Sequence, residues 1–324
     1  MEKWQNSLQN AITSVPELLK LLEIPLAFHS NFLEDKEFPL LVTQEFFQRI
    51  QKKDPKDPLL LQIVPQVREK EIQKKFSKDP LKEIAINPVP GLLHRYVGRV
   101  LLTLTGACPV HCRFCFRRHF PYTKNNPLKT NFEQIFNYIK NDQSIEEIIY
   151  SGGDPLLVND RELQKISHEF TKIPHIKRLR FHTRVPIFLP SRINESFVSW
   201  LSQYPLSVTM VIHCNHPREI DAEVRASLHR LRPLCQLLNQ AVLLQSVNDD
   251  VAILKELSTQ LFETGVLPYY IHRLDLVHGA KHFSVSLKKS KELIRELATQ
   301  LPGYLVPRLV KTQTGAQHKI GLLG

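Results

Sequence analysis

From Arg99 onward the chain alternates strand-sized apolar runs with amphipathic ones, and this alternation constrains the fold more than any other feature. Six runs are strand candidates: RVLLTLT (99–105), EEIIYSG (146–152), IKRLRFHT (176–183), LSVTMVIH (206–213), QAVLLQS (240–246) and LPYYIHRLD (267–275). Between them lie helical patterns: NFEQIFNYIKND, DRELQKISHEFTK, EVRASLHRLRPL, VAILKELSTQLFETG and SLKKSKELIRELATQL. Strands that are apolar on both faces and joined by helices form parallel sheets. Six β-then-α units of regular length predict an α/β fold, a partial (β/α)6-type barrel, with a doubly wound open sheet as the rival.

Residues 1–94 have a different texture, helical and charged, with VPELLKLLEI and EFFQRIQ broken by the prolines of KKDPKDPLLLQIVP. They are expected to form an N-terminal helical cap, residues 95–302 the partial barrel, and residues 303–324 a further extended element and a loop. A hydrophobic content of 42% is enough for a sizeable core. No apolar run approaches the ~20 residues of a membrane helix. The N-terminus lacks a basic region followed by an apolar block, so a cytoplasmic location is expected.

The alternation also places the chemistry. In either α/β fold, ligands bind at the carboxyl ends of the strands. Cys108, Cys112 and Cys115 follow the first strand, SGGDP the second, His182 and Arg184 end the third, and His213 and Asp275 close the fourth and sixth. All are expected to face one mouth.

Three of five cysteines within eight residues suit a reducing compartment and bound metal rather than a disulfide framework. Soft thiolates at tight spacing select zinc or iron–sulfur. A structural zinc site needs four closed ligands, which His119 would complete. In that case the neighbouring arginines and phenylalanines, with a net charge of +11, would suit RNA. Against this, zinc sites usually show two chelating pairs, and no second pair is present. Three cysteines on a four-iron cluster would leave one iron open for a ligand.

The C-x3-C-x2-C spacing, with Phe114 before the third cysteine, resembles the signature of radical S-adenosylmethionine (SAM) enzymes. In that family SAM occupies the open iron, and its reductive cleavage supplies a radical that abstracts hydrogen from the substrate. The resemblance extends further. LHRYVGRVLLTLTGACPVHCRFCFRRHF, YSGGDPL, TRVPIFLPSRI, IHCNHPREI, NQAVLLQSVND and YYIHRLDLVHGAKHF occur in the order and spacing of lysine 2,3-aminomutases, from about residue 60 to the end. These enzymes also use pyridoxal 5′-phosphate (PLP).

The resemblance implies roles residue by residue. Cys108, Cys112 and Cys115 would hold the [4Fe-4S] cluster. Gly152, Gly153 and Asp154 would form the turn that meets SAM's amino group, with His213 and Gln240 also contacting SAM. Arg95 and Arg99 would clamp the PLP phosphate and Lys319 would carry PLP. Arg117 would pair with the substrate carboxylate and Asp275 with its ε-ammonium. Two departures stand out. The PLP lysine follows TGAQH, with a single glycine where the family has a run, and Thr312 stands where a second carboxylate is expected.

The short form resembles the branch that makes (R)-β-lysine for attachment to translation elongation factor P by its ligase. That branch implies L-lysine as substrate, a reductant such as flavodoxin or ferredoxin, no membrane association, and a monomer or weak dimer. The alternatives are an aminomutase for glutamate or arginine, the former disfavoured by Asp275, and a zinc-dependent RNA-binding protein.

Overall fold

The computed structural model describes residues 2–71, 73–127 and 131–323. Among the described residues of the expected cap the helices are short, α1 (Lys3–Gln9), α2 (Val15–Leu21), α3 (Gln44–Phe47) and α4 (Pro58–Leu61), linked by turns and 3-10 segments. Prolines, which remove a helical donor, keep these pieces short. Trp4, Leu18, Phe46 and Leu60 nevertheless bury themselves in the same core as the barrel strands.

A buried four-charge group pins the cap to the cysteine segment. Arg113 pairs with Asp35 and Glu69, each at 2.7 Å, and Arg118 pairs with the same two carboxylates, each at 3.0 Å. Both guanidinium groups lie over the Phe38 ring, at 5.0 and 4.7 Å from its centroid. Equal numbers of opposite charges meet there, so no buried charge is left uncompensated.

The sheet starts with β1 (Leu92–Tyr96), which runs antiparallel to β2 (Arg99–Thr105). Then follow α5 (Phe132–Asn141), β3 (Glu147–Gly152), α6 (Asp160–Thr171), β4 (Arg178–Thr183), α7 (Val185–Phe188) and α8 (Glu195–Gln203). Next come β5 (Ser207–Ile212), α9 (Ala222–Leu231), β6 (Gln236–Leu243), α10 (Val251–Glu263), β7 (Leu267–Arg273) and α11 (Leu287–Gln300). The chain ends with β8 (Arg308–Lys311) and β9 (Ile320–Gly321).

Strands β2 to β8 are all parallel, each hydrogen-bonded to the next in sequence, and β9 returns antiparallel to β8. Among the described residues β1 and β9 do not pair with each other, so the sheet stays open, as a partial barrel requires. The six expected units are present, and the extended element after residue 303 supplies a seventh parallel strand.

Burial explains the strands. All six residues of β3 are buried, helices covering one side and the barrel interior the other. Outer helices start where a side chain accepts a free N–H: Asn159 for α6, Asp221 for α9, Asp250 for α10 and Ser286 for α11. Two differences from the sequence reading concern boundaries. The proposed cap boundary at residue 94 falls inside β1, whose LLHRY has too few apolar positions to announce a strand. Strand β6 begins four residues earlier than expected, at Gln236. No described helix is long and apolar enough to cross a membrane.

Candidate active site

One cavity of about 600 Å³ runs along the inside of the sheet, and all thirteen site residues inferred from the sequence line it. Cys108, Cys112 and Cys115 lie just beyond the carboxyl end of β2, whereas Arg99 begins that strand. At ~3.3 Å per residue, the two ends of a seven-residue strand are about 20 Å apart. The cavity therefore has a thiol end and an arginine end.

At the thiol end, two loops lie directly on each other. The Gly153 N–H donates to the Thr105 carbonyl at 2.6 Å and the Asp154 N–H to the Ala107 carbonyl at 2.7 Å. Gly152 has φ +122°, and a Cβ there would lie 2.5 Å from the Thr105 carbonyl oxygen. A Cβ on Gly153 would overlap the Ala107 carbonyl. Only glycines allow the turn after β3 to approach the segment leading into the cysteines.

Asp154 has a different part from Gly152 and Gly153. Its buried carboxylate accepts from Thr183 Oγ1 at 2.7 Å and from the backbone N–H groups of Leu156, Arg184 and Val185 at 3.1, 2.7 and 3.2 Å. It ties the end of β3 to the end of β4. Burial pushes its carboxyl up to about 6, against these donors, which favour the charged form. What this turn offers a ligand is backbone.

Burial and the neighbouring thiols push Cys108 well up, and burial moves Cys115 up to about 11. Metal binding would release these protons. Arg184 Nη1 donates to Cys112 Sγ at 2.9 Å. His213 stands beside Phe114, ring centroids 5.6 Å apart, with its Nε2 at 3.1 Å from Asn215 Oδ1. Burial holds His213 well below the ordinary histidine range, so it is neutral.

A single metal ion requires its ligand atoms within about 2.0–2.3 Å of one point. Among the described residues no three His, Cys, Asp or Glu side chains are so arranged. His119, the fourth ligand a zinc site would need, instead packs edge-on to His278 at 6.4 Å. An all-thiol set opening onto a cavity suits a cluster, in which each sulfur takes its own iron.

Between the two ends sits Lys319. Its Nζ lies 2.9 Å from Gln240 Oε1, to which it donates, and 2.8 Å from His272 Nε2, over the Tyr270 ring. It is held there because the next two residues are β9: Lys311 pairs with Ile320, and Leu322 N–H donates to the Leu309 carbonyl at 3.0 Å. Burial pushes Lys319 down to about 7, with Asp275 pulling the other way. Burial likewise moves Asp275 up to about 7, against Lys319. His182 and His272 are both held neutral by burial. The buried His182 Nε2 and Gln240 Nε2 have no protein partner, so the cavity wall presents polar atoms for a ligand to satisfy. Thr312 lines the same cavity and adds no charge.

At the arginine end, Arg99 stacks on Tyr96 at 4.7 Å and Arg95 Nη2 donates to the Leu81 carbonyl at 2.6 Å. Toward the thiol end, two residues after Cys115, Arg117 is already engaged. Its Nε and Nη2 donate to the two oxygens of Glu83, at 2.7 and 2.8 Å, and its Nη1 donates to Ser151 Oγ at 2.9 Å. Sequence reasoning missed Glu83, because it comes from the cap and no local pattern marks it. It also missed His272, although Tyr270 and His272 fall at i and i+2 on one face of β7.

A parallel α/β partial barrel with three cysteines at its mouth and a glycine turn against them defines a class. The sequence matches the radical SAM superfamily over residues 102–225. It is 43% identical to an L-lysine 2,3-aminomutase of Haemophilus influenzae, over 98% of this chain and 95% of that protein. The Escherichia coli enzyme of that name is also 43% identical, over 99% of this chain and 94% of its own length. A relative with the same name from Clostridium subterminale is 35% identical, over 98% of this chain and 76% of its length. The chain belongs to the L-lysine 2,3-aminomutase family of radical SAM isomerases, which uses a [4Fe-4S] cluster, SAM and PLP.

Proposed function

We propose that this protein moves the amino group of L-lysine from C2 to C3, giving β-lysine. The observation that carries this reading is the single cavity that joins the three thiols, the arginine end, Lys319 and Asp275. When bound, the cluster with SAM supplies a hydrogen-abstracting radical, and PLP supplies the carbonyl to which the migrating nitrogen is tied.

The chain's own residues hold and orient. Cys108, Cys112 and Cys115 each take one iron. Gly152 and Gly153 offer backbone to SAM, Asp154 fixes their turn, and His213 and Gln240 line the SAM side of the cavity. Arg95 and Arg99 present forked donors to the PLP phosphate, and Lys319 carries PLP. A guanidinium has five N–H groups. Glu83 and Ser151 use three of those on Arg117, which leaves two for the substrate carboxylate. Asp275 receives the ε-ammonium without a second carboxylate, since Thr312 is neutral.

We further assign the product to elongation factor P and its ligase, with flavodoxin or ferredoxin as reductant, by resemblance to the aminomutases of that branch. Five unpaired cysteines suit a reducing cytoplasm.

Asp275→Asn tests the substrate assignment. Removing one partner of a buried ion pair costs about 3–5 kcal/mol. The expected result is a fall in kcat/KM for lysine from about 10²-fold to about 4 × 10³-fold, at ~1.4 kcal/mol per tenfold, with wild-type iron and PLP content. Unchanged kcat/KM, or turnover of glutamate or arginine in preference to lysine by the wild type, would contradict it.

A further inference from the structure

We propose that Arg184 sets the reduction potential of the cluster through its N–H on the Cys112 sulfur, and that Glu219 is the counter-charge that limits this effect. The proposal rests on the cluster assignment above.

Arg184 follows β4 and is buried. Its Nη1 donates to Cys112 Sγ at 2.9 Å, its Nε to the His213 carbonyl at 3.0 Å, and its Nη2 to Gln62 Oε1 at 3.1 Å and Glu219 Oε2 at 2.9 Å. The Phe188 and Phe114 rings flank the guanidinium, at 4.6 and 5.6 Å from their centroids. The group is therefore fixed, with one edge aimed at sulfur.

Glu219 is fully buried as well. Its other oxygen accepts from Gln62 Nε2 at 3.0 Å and from the Asn215 N–H at 3.1 Å. These donors and Arg184 together hold the carboxylate in place.

For stability alone this arrangement is poor, because a buried ion pair gains little over apolar side chains of the same volume. What apolar side chains cannot supply is a cation hydrogen-bonded to a ligand sulfur. Cluster potentials depend on local charge and on hydrogen bonds to sulfur. Reduction adds negative charge, so the guanidinium favours the reduced cluster and raises the potential. Glu219 opposes this, which gives the two residues opposite signs.

The test is an EPR-monitored redox titration of anaerobically reconstituted protein without SAM or substrate, with iron counted in each sample. Arg184→Gln is expected to make the reduced cluster at least tenfold scarcer at a fixed potential, a negative shift of about 59 mV or more for one electron. Glu219→Gln is expected to shift the midpoint in the positive direction. Arg184→Lys, which keeps the charge without the planar fork, should fall between Arg184→Gln and wild type. Wild-type midpoints in both Gln variants, at full iron content, would overturn the proposal. Should Arg184→Gln bind no iron, wild-type midpoints in Glu219→Gln and Arg184→Lys would overturn it equally. Wild-type protein without a four-iron cluster would instead overturn the cluster assignment, and this proposal with it.

Discussion

Cys112→Ala is expected to abolish both the cluster and SAM cleavage. Among the described residues Cys108, Cys112 and Cys115 are the three thiols that line the cavity, and the other two cysteines do not line it. Two remaining ligands leave two irons of a cubane without protein support. The substitution also takes the acceptor from the buried Arg184 N–H. Cys108→Ala and Cys115→Ala should behave alike. The other two cysteines provide the control. Cys214 is packed in the core, and the Cys235 thiol bonds to the Leu231 carbonyl just after α9. Their Ala variants should keep four irons by chemical analysis. Iron retained by Cys112→Ala and lost by Cys214→Ala would contradict the assignment.

Lys319→Ala should remove covalently bound PLP altogether. The attacking species is a neutral amine, and burial favours it at Lys319 by disfavouring the ammonium. With its value moved down to about 7, Lys319 should be a reactive lysine at neutral pH. Borohydride trapping of PLP on the purified chain should therefore label Lys319. Its rate should fall about tenfold for each pH unit below 7, as the amine takes up its proton. The nearby rivals are Lys311 on β8 and Lys281, which pairs with Glu71 at 3.6 Å on the surface. Peptide mapping that placed the label on either, or rates flat from pH 5 to 8, would contradict this.

Much of this site was legible because in a parallel α/β fold the residues after each strand share one end. Reading RVLLTLT as a strand was enough to put Cys108 at the mouth, and EEIIYSG did the same for Gly152 and Gly153. Strand β6 was read late because Asn239 and Gln240 interrupt its apolar run. Strands that line a cavity carry polar residues on their inner face, which hides them from a search for hydrophobic runs. Helix α8 escaped notice although ESFVSWLSQ follows a capping Asn194.

Pairings between distant segments were not legible. Nothing near Arg117 announces Glu83, 34 residues earlier, or the role it leaves the guanidinium. The position of Asp154 was legible, but its bonds to Thr183, Arg184 and Val185 were not, since they depend on how β3 and β4 come together. Lys319 shows the reverse. Its sequence context has little that marks a buried amine, yet the two-residue strand after it is enough to pin it inside.

The central claim is tested most directly by anaerobic incubation of the reconstituted protein with L-lysine, SAM, PLP and a reductant, followed by identification of the amino acid product by NMR. The structure and family membership predict conversion of lysine to β-lysine, dependent on all three added components. Protein loaded with four irons and PLP that leaves lysine unchanged, or isomerises a different amino acid in its place, would contradict it.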